Sequence, residues 1–225
     1  MIVAAFLVAL VPSAAWATPP ATPAFGATPV DPYGAFPPYE CNIADPHRAG
    51  AEGFRSMVLA AYPTSWSGEL WAPCNSPNHI STSNHHAGRA WDWFITAMGN
   101  RASVEERAIA DELLAWLLEP LDGVADARAR RLGIVEIIWF DQRWSVQTKA
   151  WVPYNAQGCP DPAANNTGCH RDHVHFGFST AGADGSTTWW PRDAAWHLSS
   201  VNSLLVGILS QLINGLAGLL APTPA

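Results

Sequence analysis

Apolar residues in three segments of the chain recur with the period of an α-helix. One apolar stripe runs through Phe54 to Ala61 and predicts a short helix. Ser103 and Glu106 have the spacing of a capping box before a longer helix, which Pro120 ends. A third, short helix is predicted from Ala125 to Leu132, directly before a glycine.

Four other segments carry strand signals. Gly88 to Ile95 is typical of a turn that leads into a strand, and Ile134 to Phe140 is a nearly continuous β-branched and aromatic run that predicts a central strand. Two further strands are predicted within Arg143 to Lys149 and over His173 to Phe178. Late connections are too short for parallel crossovers, so we expect an α+β fold with an antiparallel sheet flanked by helices.

The two ends of the chain differ in pattern from its middle. Residues 1–17 hold a short apolar run and a small-residue cleavage motif, Ala15-Trp16-Ala17, which predict a signal peptide. Residues 18–40 are rich in proline, which favours an unpacked linker. The folded domain is then predicted over 41–197, followed by an apolar helix and tail over 198–225.

Residues 201–220 contain no charged residue, so they are long and apolar enough to span a bilayer. Small and polar residues nevertheless recur there every three or four positions, opposite a leucine-rich face. This pattern favours an amphipathic helix that lies on a membrane or self-associates. A helix packed on its own domain and a true membrane span remain alternatives.

Composition narrows the class of partner. The chain of 225 residues has only 14% charged residues and a formal net charge of −7, and it has no run of Lys or Arg. Nucleic-acid binding needs many phosphate contacts from basic side chains, so we expect no nucleic-acid partner.

An even number of cysteines, four, fits a secreted protein or one of the cell envelope. Four cysteines allow three pairings, of which we favour Cys41 with Cys74 and Cys159 with Cys169, because the latter pair closes a short loop. A thiolate zinc site with Cys159, Cys169 and His170 is the alternative.

The candidate chemistry lies in two histidine clusters, which hold six of the eight histidines: His79, His85 and His86, then His170, His173 and His175. The first cluster continues to Asp92 through a glycine turn. Two imidazoles and one carboxylate can bind zinc and leave a fourth position open, as a catalytic site requires. His173 and His175 project from one face of the predicted strand.

His-x-x-Gly-x-Ala-x-Asp over 85–92, followed far downstream by Asp172-His173-Val174-His175, resembles the metallopeptidase superfamily that includes lysostaphin, the D-Ala-D-Ala carboxypeptidases and the zinc-bearing signalling domain of hedgehog. Within it, the chain is similar to a family of secreted bacterial envelope proteins over roughly Cys41 to Pro191. The resemblance implies zinc as cofactor, His85, Asp92 and His175 as ligands, and His173 as the residue that handles the proton of the attacking water.

Two residues compete for the role of general base. In the carboxypeptidase branch the base is an acidic residue three positions before the last ligand, which is Asp172 here, whereas in the endopeptidase branch it is the first His of His-x-His, which is His173. Strand alternation puts His173 on the face of His175 and Asp172 on the other face, so we favour His173. A bulge at Asp172 would reverse this preference.

Other polar residues are interpreted as structural. His79, His86 and His170 are expected at the surface or on the rim of the site, and Arg89 is expected to face away and to pair at the surface. Glu136, inside an apolar strand, is expected to pair with a buried arginine or, alternatively, to line the cleft.

The leading hypothesis is a secreted zinc peptidase that hydrolyses amide bonds in peptidoglycan peptides, a substrate class that the resemblance supplies. The alternative is a non-catalytic envelope module that zinc stabilises. A metal-dependent nuclease is a third class, which the acidic balance of the chain disfavours.

Overall fold

The computed structural model describes residues 18–41, 47–76, 79 and 82–190. The predicted signal peptide and the predicted helix over 201–220 lie outside these residues. Within the described residues, no helix combines the length and the apolar character needed to cross a membrane.

A six-stranded sheet with the order β1-β2-β6-β3-β4-β5 organises the domain, and every neighbouring pair of strands is antiparallel. The strands are β1 (Trp66–Ser67), β2 (Ala90–Phe94), β3 (Ile134–Trp139), β4 (Gln142–Ser145), β5 (Trp151–Pro153) and β6 (His173–Phe178). The α-helices are α1 (Ala49–Ala61), α2 (Val104–Leu118), α3 (Ala127–Leu132) and α4 (Thr180–Ala183), and Asn84–Ala87 form one turn of 3-10 helix. The predicted α+β class is therefore confirmed.

One face of the sheet carries the hydrophobic core. Trp91 and Trp93 from β2 and Phe176 from β6 are fully buried there, because alternate residues of a strand project to the same side. Phe54 of α1 packs edge-on against Trp91 and Phe176, with ring centroids 5.8 and 5.0 Å apart. The interleaved residues of the same strands, Asp92 and the β6 histidines, consequently project to the opposite face.

The N-terminal segment 18–41 packs against the domain, contrary to the expected linker. Phe25, Tyr33 and Phe36 contact the core. Arg131 of α3 lies over the Phe25 ring at 3.9 Å and donates to the carbonyl oxygen of Thr28. Proline content alone favoured an unpacked chain, but buried arginines bind its backbone carbonyls and aromatic rings. We call residues 18–41 the N-terminal strap.

Two disulfides with the favoured pairing are present, Cys41–Cys74 and Cys159–Cys169, with Cα atoms 5.8 and 5.6 Å apart. Because all four sulfurs are in disulfides, the alternative thiolate zinc site lacks its ligands. Two disulfides are compatible with an extracellular or envelope protein.

The capping box of α2 is present as predicted: the Ser103 hydroxyl accepts from the Glu106 backbone N–H, and the Glu106 carboxylate accepts from that of Ser103. We expect Ser103→Ala to lower the free energy of unfolding by about 1 kcal/mol, measured by denaturant unfolding. Ser56→Ala is the matched control, because that exposed hydroxyl donates to a carbonyl oxygen within its own helix. Equal effects of the two substitutions would contradict the role of the cap.

Candidate metal centre

Three candidate ligands converge on the polar face of the sheet. His85 lies in the 3-10 turn, whose N-cap Ser83 accepts from the His85 backbone N–H, and Gly88 at φ 63° turns the chain into β2. Asp92 on β2 lies directly opposite His175 on β6 in the antiparallel register. A local turn therefore supplies one ligand, and strand pairing supplies the other two.

The ligand atoms are close enough to share one ion. His85 Nε2 lies 3.2 Å from Asp92 Oδ1 and 3.2 Å from His175 Nδ1, and the latter lies 3.0 Å from Asp92 Oδ1. All three residues are buried. Two imidazoles and a carboxylate suit zinc, so the donor set fits the metal that the sequence resemblance implies.

The electrostatics of the cluster keep Asp92 anionic. Burial by itself would raise the pKa of Asp92, but the charges of His85 and His173 and the hydrogen bonds from the imidazoles lower it well below its usual range. Burial lowers the pKa of His85, although Asp92 opposes this. For His175, burial would lower the pKa, but the hydrogen bond and charge of Asp92, together with the charge of Glu136, raise it. An ionised carboxylate among imidazoles is therefore available to a cation.

His173 and Asp172 form a connected pair beside the three candidate ligands. Asp172 Oδ1 lies 2.6 Å from His173 Nδ1, and Asp172 Oδ2 accepts from the Gly99 N–H at 2.7 Å and the Thr167 hydroxyl at 2.5 Å. Burial would raise the pKa of Asp172, but these hydrogen bonds lower it, so the carboxylate is the acceptor and Nδ1 the donor. The other nitrogen, Nε2, lies 3.7 Å from Asp92 Oδ1 and faces the centre.

The register of β2 against β6 is regular from Gly177 to His173. The pairing of β2 with β6 continues without interruption to Phe94 opposite His173, and the irregularity in the β3–β6 ladder lies between Ile134 and Glu136. Asp172 lies just beyond this ladder, and its carbonyl oxygen accepts from the backbone N–H groups of both Ile95 and Thr96, so the pairing is irregular where a bulge would have favoured Asp172 as base. The preference for His173 therefore rests on the contact between Asp172 Oδ1 and His173 Nδ1. Phe94 stacks on the His173 ring, with centroids 4.7 Å apart, and fixes its plane.

His170 is a site residue that the sequence analysis missed, since it was expected at the surface or rim. It is buried, and its ring lies 4.8 Å from that of His173 and 5.7 Å from that of His175. Its Nδ1 has no hydrogen-bond partner among the described residues. Burial, reinforced by the charges of His173 and His175, holds the pKa of His170 well below its ordinary value. A φ of 54°, which sequence patterns do not reveal, turns it inward.

The positions expected for His79, His86 and Arg89 agree with the structure only in part. His79 bonds to Glu69 at 2.8 Å near the rim and packs over His85, whereas His86 is buried and donates to the carbonyl oxygen of Ala72. Arg89 does face away from the centre, but it is buried rather than at the surface. It bonds to Glu40 and to a carbonyl of the N-terminal strap, each at 2.6 Å.

A cleft of about 840 Å³ opens over the cluster. Its lining includes Glu69, Ser83, Tyr154 and Arg143. Glu136 lines the cleft, which was the alternative expectation, and pairs with Arg143, whose side chain is one third exposed rather than buried. Thr167 and Gly168, from the loop that Cys159–Cys169 closes, complete the border.

This loop is folded around one side chain. Arg171 is fully buried, pairs with Asp141 at 2.8 Å and donates to the carbonyl oxygens of Pro160, Asp161 and Ala164. The disulfide and Arg171 together hold the loop against the start of β6. The loop in turn holds the Thr167 hydroxyl on Asp172.

Fold and site together define an α+β domain with a buried cluster of two histidines and one carboxylate at the floor of a cleft. The family model described as VldE, C-terminal domain, matches residues 45–167, more than half of the chain, and the chain belongs to this family. The match includes His85 and Asp92 and ends before His170. No curated protein and no solved structure matches the chain.

Replacing Cys159 and Cys169 by serine should lower the free energy of unfolding by about 2–3 kcal/mol, the loop-closure entropy expected for this short loop. Denaturant unfolding under oxidising conditions measures the change. Adding a reductant to the unsubstituted protein should lower its stability further, since Cys41–Cys74 is then broken as well. Unchanged stability of the double variant would contradict the structural role of this loop.

Proposed function

We propose that the chain is a zinc-dependent peptidase that hydrolyses amide bonds in peptidoglycan peptides. The observation that carries the proposal is the convergence of His85, Asp92 and His175, with ligand atoms within 4.8 Å of one another, at the floor of a cleft. The substrate class rests on the resemblance of these motifs to the lysostaphin and D-Ala-D-Ala carboxypeptidase superfamily. The two disulfides are compatible with action outside the cell.

His85, Asp92 and His175 would hold the metal. When bound, zinc supplies a Lewis acid that activates water and polarises a carbonyl group. His170 lies outside the group of atoms close enough to bind the same ion. The three-ligand set therefore leaves a coordination position for water or substrate, as catalytic zinc sites do.

His173 is the proposed general base. Its Nδ1–H is held by Asp172, so Nε2 is free to take a proton from the attacking water and then to give it to the leaving amine. Asp172 accepts from three donors and stabilises the imidazolium ion that forms. This arrangement favours Asp172 as a positioning residue over Asp172 as the base.

A non-catalytic module stabilised by zinc is the second candidate. The exposed fractions of His85, Asp92 and His175 are only 1%, 8% and 8%, and such burial also suits a structural site. Loss of cleavage in a variant that keeps its zinc would separate the two functions.

Asp92→Ala should abolish tight zinc binding, because it removes the only negative charge among the three proposed ligands. Zinc content after dialysis, measured by mass spectrometry of the metal, tests this, with circular dichroism as the check on folding. His47→Ala is the control, since this exposed histidine pairs with Glu52 on α1. A folded Asp92→Ala variant that retains one tightly bound zinc would overturn the ligand assignment.

His173→Ala should retain zinc and lose cleavage, with a fall in kcat of about 100-fold or more. Asp172→Asn should lower kcat less, because the base remains but is held in the wrong tautomer more often. Incubation of zinc-loaded protein with cell-wall fragments, followed by mass spectrometry, identifies the bond cleaved. If the unsubstituted protein releases no fragments, or releases them equally with a chelator present, the peptidase proposal fails. The non-catalytic module stabilised by zinc is then the favoured function.

A further inference from the structure

Arg143 lies on the same transverse row of the sheet as two proposed ligands. Asp92 pairs with His175, His175 pairs with Ile138, and Ile138 pairs with Arg143. The row therefore crosses β2, β6, β3 and β4 beneath the cleft. Strands lie about 4.8 Å apart, so the Arg143 backbone is about 10 Å from that of His175. A long side chain at this position can approach a substrate whose amide lies at the metal centre.

The hydrogen bonding of Arg143 leaves its outer edge available. Its Nε donates to Glu136 Oε1, and within the described residues no partner bonds to either terminal nitrogen or to Glu136 Oε2. About one third of the Arg143 side chain is exposed to the cleft. A guanidinium that serves only a structural ion pair usually uses its terminal nitrogens in a bidentate contact with the carboxylate. This pair instead leaves two donor nitrogens, with four N–H groups, and one acceptor oxygen without a partner among the described residues.

The guanidinium is also held from a second side. Phe36 of the N-terminal strap packs against it, with the guanidinium carbon 5.5 Å from the ring centroid. Glu136 and Phe36 thus reduce the conformational freedom of the group, so binding to it loses less entropy. The N-terminal strap, which does not line the cleft, contributes to it through this contact.

The positive charge of Arg143 favours an anionic group of the ligand. Among the described residues that line the cleft, Arg143 is the one arginine or lysine. The planar guanidinium matches a carboxylate with two parallel hydrogen bonds. A carboxylate one residue beyond the scissile amide lies about 4 Å from that amide, within the span between the metal centre and Arg143.

We propose that Arg143 is a specificity-determining residue that binds a substrate carboxylate one residue beyond the scissile bond, with Glu136 Oε2 accepting an adjacent N–H group. This inference rests on the proposed peptidase function and sharpens it, because a free carboxylate at that distance is the chain end that a carboxypeptidase substrate carries. An interior peptide bond would lack it unless a side chain supplied the carboxylate.

Two probes test the proposal: N-acetyl-lysyl-D-alanyl-D-alanine with a free carboxylate, and the same peptide with a C-terminal amide. Binding is measured by calorimetry in zinc-loaded His173→Ala protein, which should not consume them. The acid should bind about 10- to 100-fold more tightly than the amide, the range expected for hydrogen bonds to a charged group. Arg143→Gln should abolish this ratio, and Arg143→Lys should retain part of it as a point charge.

Two further variants sharpen the test. Glu136→Gln keeps an acceptor for Arg143 Nε but removes a negative charge beside the bound carboxylate, so the acid-to-amide ratio should rise. Arg55→Gln on α1, which does not line the cleft, should leave the ratio unchanged. Thermal unfolding verifies that each variant is folded.

The outcomes separate this inference from the peptidase proposal. Equal binding of acid and amide, or a ratio that survives in folded Arg143→Gln, overturns the role of Arg143 even if the enzyme cleaves wall peptides. A ratio that depends on Arg143 upholds the subsite even if the unsubstituted protein releases no chelator-sensitive fragments from cell-wall peptides, in which case it is the peptidase proposal that fails.

Discussion

The antiparallel pairing of β2 with β6 is the constraint on which the rest of the structure depends. It sets Asp92 opposite His175 and, through alternation, sends Trp91 and Phe176 to the core. A slip of one residue would exchange the two faces, placing the carboxylate among aromatic side chains and a tryptophan in the cleft. The core and the candidate site therefore specify each other, and a register that buries the aromatic residues necessarily assembles the polar cluster.

Much of this architecture could be predicted from sequence, because local patterns of residues specify its helices and strands. A glycine turn indicated the strand around Asp92, alternation placed His173 and His175 on one face of their strand, and the spacing of Ser103 and Glu106 identified the start of α2. The edge strands β1 and β5 were missed because two or three residues are too few to show a period. His170 was misplaced because its inward orientation comes from a left-handed backbone conformation beside a disulfide, which no pattern of side chains indicates.

The N-terminal strap shows where composition misleads. Prolines prevent regular structure, but they leave carbonyl oxygens without a partner inside the segment, and the arginines of α3 supply the donors. Arg89 is a related case. It lies between the proposed ligands His85 and Asp92 in the sequence, and the carboxylate of Glu40 in the N-terminal strap balances its charge. The N-terminal strap is therefore part of the folded domain, because these ion pairs and hydrogen bonds join it to distant parts of the sequence. The change in composition near residue 40 does not mark the boundary of that domain.

The way Arg171 holds the 159–169 loop has a consequence for how the cleft could diversify. Its guanidinium binds backbone carbonyls, which every amino acid provides, so the anchoring is indifferent to the identity of most loop side chains. The side chains at the border of the cleft can therefore change while the backbone path and the support of Asp172 persist. Such a loop separates the part of the protein that can vary with the substrate from the part that must stay constant for the chemistry.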